Sequence, residues 1–495
     1  TLDTKISSSG GGTISRNPDK EKYVEGEDVE LTAIPDQGYR FDNWTGDVSG
    51  DNQVITIEMD TAKKVTANFV KQFTLTLESS STSRGTVSPS GDTTVDKGGE
   101  ISITATPNTG FKFSKWTVVS GTASITDETS ANTKVKLDSD DATVQAEFKS
   151  VTFIKKSISI SGYESVLPKY AIQMNDSQYL VVADCQTSSS ESYSGSIILN
   201  HFGDTVRTNL IQRDITLNSI RPANNGFIAD GQESFLEKIV VSFSSNGNYK
   251  GIKKYDYLQF SSSRNVITIQ TNDNGYAMMG DTVPNDFYFV KTDANGDIRW
   301  TKSYDKGSFE SFSDGIQTSD GGYLLVGAYT MGQGGWVIKT DQNGAITWDS
   351  LYSAYLGTEE QRFGAGFNSV IEVNDGYIVG GNMRNTTGII LKIDFSGDVL
   401  WSKTYPNLNG TRAVRQKSSG NFVLAGTTNN IGNGGNDIYL VLTNSNGVII
   451  GEERTFGTAN SEYCRSMELT KDGGILIVGD NGWIIKTDEN GNVDP

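Results

Sequence analysis

Six arginines, Arg221, Arg264, Arg362, Arg412, Arg415 and Arg465, fall just before or at the start of short strand-like segments. A guanidinium fork grips carboxylate or sulfate through paired hydrogen bonds. Tyr329, Tyr355 and Phe363 lie close by in sequence, and aromatic faces suit sugar rings. The same arginines could instead pair with Glu359, Glu360 and Glu462 and knit loops together. Asp293, Asn295 and Asp297, in Asp-x-Asn-Gly-Asp, are spaced like half of a calcium loop, with oxygen ligands at alternate positions. The distal glutamate of such a loop is missing, and a hairpin turn accounts for the same residues. Calcium is the one cofactor the sequence raises.

Other chemistries are narrowed by scarcity. His201 is the only histidine, which weighs against Ser-His-Asp catalysis and histidine metal sites. It precedes Gly203 in an expected turn. Cys185 and Cys464 are the only cysteines, too few for a thiolate zinc cluster. They are either a disulfide joining neighbouring repeats or two buried free thiols. No pair of carboxylates stands out for glycoside hydrolysis, so no catalytic residue is assigned.

The elements that must position these residues are all β. Over 495 residues no window holds a 3.6-residue apolar period, and short alternating segments are punctuated by Gly, Asn and Asp. Such a length implies two or more domains. A net charge of −18 disfavours nucleic acid and anionic membrane as partners, and no apolar run approaches a membrane span. The chain opens on Thr1-Leu2-Asp3 without a methionine, so a processed or trimmed chain is expected, from which an export signal could have been removed.

Residues 1–71 and 72–149 are two copies of one module. Gly11-Gly-Thr-Ile-Ser15 matches Arg84-Gly-Thr-Val-Ser88, and Gly38-Tyr-Arg-Phe-Asp-Asn-Trp44 matches Gly110-Phe-Lys-Phe-Ser-Lys-Trp116. Val65-Thr-Ala-Asn-Phe69 and Val144-Gln-Ala-Glu-Phe148 close the two copies. These residues resemble the divergent internalin B-repeat family of bacterial surface proteins. The resemblance implies a stalk or spacer, sometimes adhesive, without catalysis. Tyr39, Phe41 and Trp44 could form a sugar platform, but a module this small needs them as its core.

Residues 150–495 repeat a four-strand unit. An aromatic after the first turn recurs at Tyr179, Phe227, Tyr276, Tyr323, Tyr377 and Phe422, with Ile475 in the last copy. The phrase Lys-Thr-Asp-x-Asn-Gly recurs from Lys291, Lys339 and Lys486, with Lys392-Ile-Asp-Phe-Ser-Gly397 a variant, and leads to Trp300, Trp348 and Trp401 with Tyr304, Tyr352 and Tyr405 four residues on. Asn343-Gly344 reads as a type I′ hairpin turn with positive φ at both residues. The phrase resembles the tryptophan-docking repeat of quinoprotein propellers and outer-membrane assembly lipoproteins, which implies blade packing. Trp336 and Trp483, at equivalent positions, are expected between blades. Seven copies at this period predict a seven-bladed β-propeller. Val151 to Ile158 is an orphan strand expected to close the last blade, which stops too short for its fourth strand.

Tight connections fall on one face of such a propeller and long ones on the other, and long loops on a rigid scaffold collect binding residues. The reading is therefore a secreted or surface-anchored monomer whose long-loop face recognises an extracellular glycan or protein without catalysis, held out by the N-terminal modules. A polysaccharide lyase or glycosidase on that face, and a purely structural envelope component, are the alternatives.

Overall fold

The computed structural model describes residues 1–495 apart from 8–9, 156, 176, 190, 214, 234–236, 257, 262–265, 284–285, 308, 330–333, 353–365, 384–386 and 495. The chain is all-β and divides into two compact units, Thr1–Lys149 and Ser150–Pro495.

In the first unit one 17-residue strand, Lys63–Ser79, runs through both sequence copies. Its first half pairs with Leu2–Ile6 (parallel) and Tyr39–Gly46 (antiparallel); its second half pairs with Ala142–Ser150 (parallel) and Gly91–Asp96 (antiparallel). Each copy thus ends on a strand parallel to the one it began on, and the shared strand serves as an end and a beginning. Val65, Ala67, Phe69, Phe73, Leu75 and Leu77 alternate onto its buried face. The duplicated aromatics are core: Trp44 and Trp116 are buried, and their indole N–H groups donate to Asn52 O at 2.9 Å and Ser130 O at 3.0 Å. Phe41 and Phe113 lie 5.3 and 5.5 Å from these indoles, both tilted by 53°.

The second unit holds seven four-stranded antiparallel sheets among its described residues. Their innermost strands, in chain order, are Ser165–Asn175, Thr216–Ala223, Ile267–Gln270, Glu310–Gln317, Gly366–Val373, Thr411–Gln416 and Cys464–Leu469. Each packs on the next, and the seventh packs on the first. This is a closed seven-bladed propeller. The seventh sheet is completed by Phe153–Lys155, antiparallel to Ile484–Thr487 with Phe153 opposite Lys486, so the orphan strand closes the ring.

The repeated phrase is explained by contacts between elements. Lys291, Lys339, Lys392 and Lys486 each reach back to the aspartate of their own first turn, Asp273, Asp320, Asp375 and Asp472, at 2.7–2.9 Å. The tyrosines reach forward: the hydroxyls of Tyr304, Tyr352 and Tyr405 donate to the carbonyls of Gly344, Gly397 and Gly447 in the following blade at 2.6–2.9 Å. Trp300, Trp348 and Trp401 lie over the same three glycines, where a Cβ would crowd the indole. Trp336 is buried 4.7 Å from Phe287 of the preceding blade.

The hairpin turn differs from the type I′ expectation. Gly344 has φ +74°, but Asn343 is not among the residues of positive φ. The Gly344 N–H donates to Asp341 O, the Asp341 N–H to Ala345 O, and the ladder shifts register at Lys339/Thr340. A type I turn followed by a glycine bulge needs positive φ only at the glycine.

At the tight-turn face, backbone N–H groups clamp successive blades: Asn224 to Gln270, Asn272 to Gln317, Ser319 to Glu372, and finally Lys471 of blade 7 to Gln173 of blade 1 at 2.6 Å. Phe153 joins the core shared by blades 7 and 1 and meets Tyr179 edge-on at 5.8 Å. Phe153→Ala is expected to destabilise the propeller by about 3–5 kcal/mol, read as a lower denaturation midpoint with an unchanged slope. A cost below about 1 kcal/mol would mean that this strand is not part of the ring.

Candidate functional site

In six of the seven blades the innermost strand carries a register shift near its start. The extra residue there is Lys169, Asn218, Ser313, Asn368, Arg412 or Arg465; alignment on the first-turn aromatic puts Val266 in blade 3 at the same level. All seven line one cup of about 450 Å³ at the mouth of the central channel. A bulge turns a side chain out of the regular alternation, and here the repeated bulge aims one residue per blade at the axis. The mouth lies where the connections into the innermost strands arrive, which is the long-loop face.

Three residues further along each innermost strand comes a second level: Ile172, Arg221, Ile269, Ile316, Ile371, Arg415 and Glu468. Four isoleucines and three charges meet about one axis. Arg415 grips Glu468 with two hydrogen bonds, Nε to Oε2 at 2.9 Å and Nη2 to Oε1 at 2.5 Å. The Tyr170 hydroxyl donates to Glu468 and accepts from Arg221 and, at 3.2 Å, from Arg415 Nη2. Arg221 also lies 3.6 Å from Glu468 and stacks 4.7 Å from the Tyr170 ring centre. Asp314, whose carboxylate accepts the N–H groups of Gly315 and Val370, faces both arginines electrostatically.

This knot joins blades 1, 2, 4, 6 and 7 and forms the floor of the cup. Burial alone would raise the Glu468 carboxyl, but the charge of Arg415 and its hydrogen bonds, then Arg221 and Tyr170, hold it down at about 2. Burial pushes the Tyr170 hydroxyl up to about 12, so it remains a protonated donor. Burial also raises Asp314, partly offset by the two arginines.

The arginines singled out by sequence therefore split into two tiers. Arg221 and Arg415 are internally compensated and structural. Arg412 and Arg465 stand at the mouth and are exposed. Arg465 Nε pairs with Asp480, and Arg412 Nε donates to Arg465 O at 3.1 Å; the two terminal nitrogens of Arg412 have no carboxylate partner among the described residues. Lys169 pairs with Asp184 at 3.2 Å. Glu462 accepts from Thr458 instead of an arginine. Arg264, Tyr355, Arg362 and Phe363, with Glu359 and Glu360, lie outside the described residues. Tyr329 packs against the core shared by blades 3 and 4, away from the cup.

A second cavity of about 700 Å³ adjoins the cup and shares Asn368, Arg412 and Arg465 with it. It adds Asn382, Asn409, Asp480 and Tyr463, a residue 45 % exposed. Sequence reading passed over Tyr463, Lys169 and Glu468. Comparing equivalent positions across blades would have found Glu468, since it stands where four other blades carry isoleucine.

Two further expectations are corrected or absorbed by the geometry. Cys185 and Cys464 are free buried thiols, not a disulfide. Cys185 packs with Val166 and Val181 in the blade 7–1 core, and Cys464 with Ile438 and Trp483 in the blade 6–7 core; burial pushes their thiols up to about 11 and about 12. Asp293 Oδ1 accepts the N–H groups of Asn295 and Asp297 at 2.9 and 3.0 Å, and Asp297 pairs with Lys253. Asn444 makes the same two bonds in blade 6, so the position needs a turn-forming oxygen and not a charge. His201 sits in the Asn200–Asp204 turn with its ring 4.0 Å from Phe202.

Glu468→Gln is expected to cost about 3–5 kcal/mol, because two buried guanidiniums lose their counter-charge. Replacing Arg415 and Glu468 together by methionine should cost less than the single change. Because the folded carboxyl ionises near 2 against an ordinary value of 4.5, its stabilising contribution, about 3 kcal/mol by linkage, is complete above pH 4.5 and disappears as pH falls towards 2. Denaturant titrations at pH 7, 4.5 and 2.5 should show that acid loss in the wild type and not in Glu468→Gln; equal acid profiles would contradict it.

Residues 2–73 and 75–152 match the family model of the divergent InlB B-repeat domain. Among solved structures, YCF48 from Cyanidioschyzon merolae is similar at 12 % identity and a TM-score of 0.43, over 67 % of this chain and 98 % of that one. No curated protein matches the chain. These two matches overlap the two copies read from internal repetition, residues 1–71 and 72–149, with different bounds.

Proposed function

We propose that the propeller is a non-catalytic recognition domain for an extracellular glycan bearing a carboxylate or sulfate. The anionic group enters the cup and meets Arg412, with Arg465 and Lys169 beside it. A neighbouring sugar lies in the adjoining groove on Tyr463, among Asn368, Asn382 and Asn409. The observation that carries this reading is the exposed Arg412 fork on an otherwise strongly acidic chain. It offers paired donors to a planar anion at the mouth of a rigid cup whose size falls within the range of small-ligand pockets. An exposed aromatic ring flanked by amide side chains adds a surface for a sugar face and its hydroxyls.

The floor of the cup is poorly suited to chemistry. Tyr170 holds its proton up to about pH 12 and Glu468 is fully engaged by Arg415, so neither is poised for general base or acid work near neutrality. In this reading the N-terminal repeats act as a spacer on a secreted or surface-anchored monomer.

Binding of the intact chain to polyuronates, sulfated polysaccharides and neutral polysaccharides, with analysis for new reducing or unsaturated ends, tests the proposal. Binding of an acidic glycan without cleavage is expected. Arg412→Ala should weaken it at least tenfold, and Tyr463→Ala less, with wild-type affinity falling as salt rises. Cleavage products would favour the enzymatic reading. Undiminished binding by Arg412→Ala would remove the cup from the site, and capture of acidic proteins alone would shift recognition to a protein partner.

A further inference from the structure

Two carboxylates, Asp437 and Glu462, are buried together beneath the long-loop face of blade 6, 0 % and 3 % exposed. Asp437 opens the strand Asp437–Thr443, and Glu462 lies on the connection into blade 7. Neither has a lysine or arginine partner among the described residues. Asp437 Oδ2 accepts the Asn433 N–H at 2.8 Å. Glu462 accepts from Thr458 twice, the N–H at 2.9 Å and the hydroxyl at 2.7 Å. Asp437 Oδ1 has no hydrogen-bond partner among the described residues.

That orphaned oxygen has a definite direction. A Cβ on Gly457 would collide with Asp437 Oδ1 and stand 2.9 Å from Glu462 Oε2. Oxygens from two different loops therefore converge beside the one residue type that leaves room there. Burying two like charges without a counter-ion is costly, and a cation between them removes the cost. Two ligands of one calcium ion, each at about 2.4 Å, can stand up to about 4.8 Å apart, which this convergence satisfies. The loop over residues 429–436 offers oxygen ligands of the hard kind: it reads Asn-Asn-Ile-Gly-Asn-Gly-Gly-Asn, rich in carbonyls and free of sulfur and imidazole. Irregular loop ligands suit calcium better than magnesium, which demands near-ideal octahedral geometry.

The same pairing recurs in one other blade. Asp286 and Glu310 hold the equivalent positions in blade 3, with Asp305 in the place of Gly457, and oxygens of the three lie within 4.8 Å of one another. In blades 1, 2, 4 and 5 the position of Asp437 is Tyr193, Glu237, Gly334 and Thr387, so the acid pair is not a requirement of the blade.

We propose that Asp437 Oδ1 and Glu462 Oε2 hold a calcium ion, its shell completed by loop carbonyls and water. The ion fastens the loop over residues 429–436 to the connection that carries Tyr463, whose hydroxyl already accepts from Asn436 at 3.0 Å. This site stands whether or not the groove takes a glycan.

The test uses the full chain, stripped with chelator and dialysed. Calcium titration by calorimetry, and terbium luminescence sensitised through Tyr463, should show saturable binding. The melting temperature should rise by several degrees with calcium and fall again with chelator. Asp437→Asn or Glu462→Gln should weaken binding at least tenfold. Absence of binding and of any thermal shift at millimolar calcium overturns the proposal, and this wild-type readout decides even if a variant fails to fold. Calcium binding that survives both substitutions also overturns it, since the ion would then lie elsewhere.

Discussion

Closure of the ring is the constraint on which this architecture depends. A blade of four short strands cannot bury both of its faces alone, and each innermost strand here packs on two others. That arrangement is self-consistent only if blade 7 meets blade 1. The strand Phe153–Lys155 makes this possible by giving the last blade the outer strand that its own segment lacks. The Lys471-to-Gln173 clamp and the Tyr170–Glu468 hydrogen bond join the same two blades, each bridging 298 residues of sequence. Without them the seventh sheet would present an open edge, and the arginines of blades 6 and 7 would have no common axis to face.

Closure also separates structure from recognition along the channel. The level containing Arg221, Arg415 and Glu468 is satisfied from within, at the cost of burying charge. The bulge level above it is where Arg412 remains uncommitted. A propeller with isoleucine at every second-level position would still close, so the charged knot is a feature of this chain and not of the fold. Its effect is to give the cup a rigid polar floor in place of an apolar one.

Much of the architecture was legible in sequence because the signals are local and repeated. The Lys-Thr-Asp-x-Asn-Gly phrase contains its own explanation: a lysine that returns to the first-turn aspartate, a side-chain oxygen that caps the turn, and a glycine under the preceding blade's aromatic. The orphan strand at Phe153 was legible for the complementary reason, a last repeat one strand short. The turn type at Asn343-Gly344 was misread because the dipeptide alone does not disclose the bulge at Lys339/Thr340. The channel floor was missed because Tyr170, Arg221, Arg415 and Glu468 come from four blades, and their meeting depends on a register that six bulges set. The split between Arg412 and Arg415 is the clearest case: three residues apart in one strand, one stands exposed at the mouth with no carboxylate partner among the described residues and the other is locked in the floor.

Native-state hydrogen exchange reads closure most directly. The amides of Phe153–Lys155 that face Ile484–Thr487 are predicted to exchange only with global opening of the propeller, at the same slow rate as their partners. Exchange of Phe153–Lys155 at the rate of an unstructured linker, while Ile484–Thr487 stay protected, would contradict the closed ring.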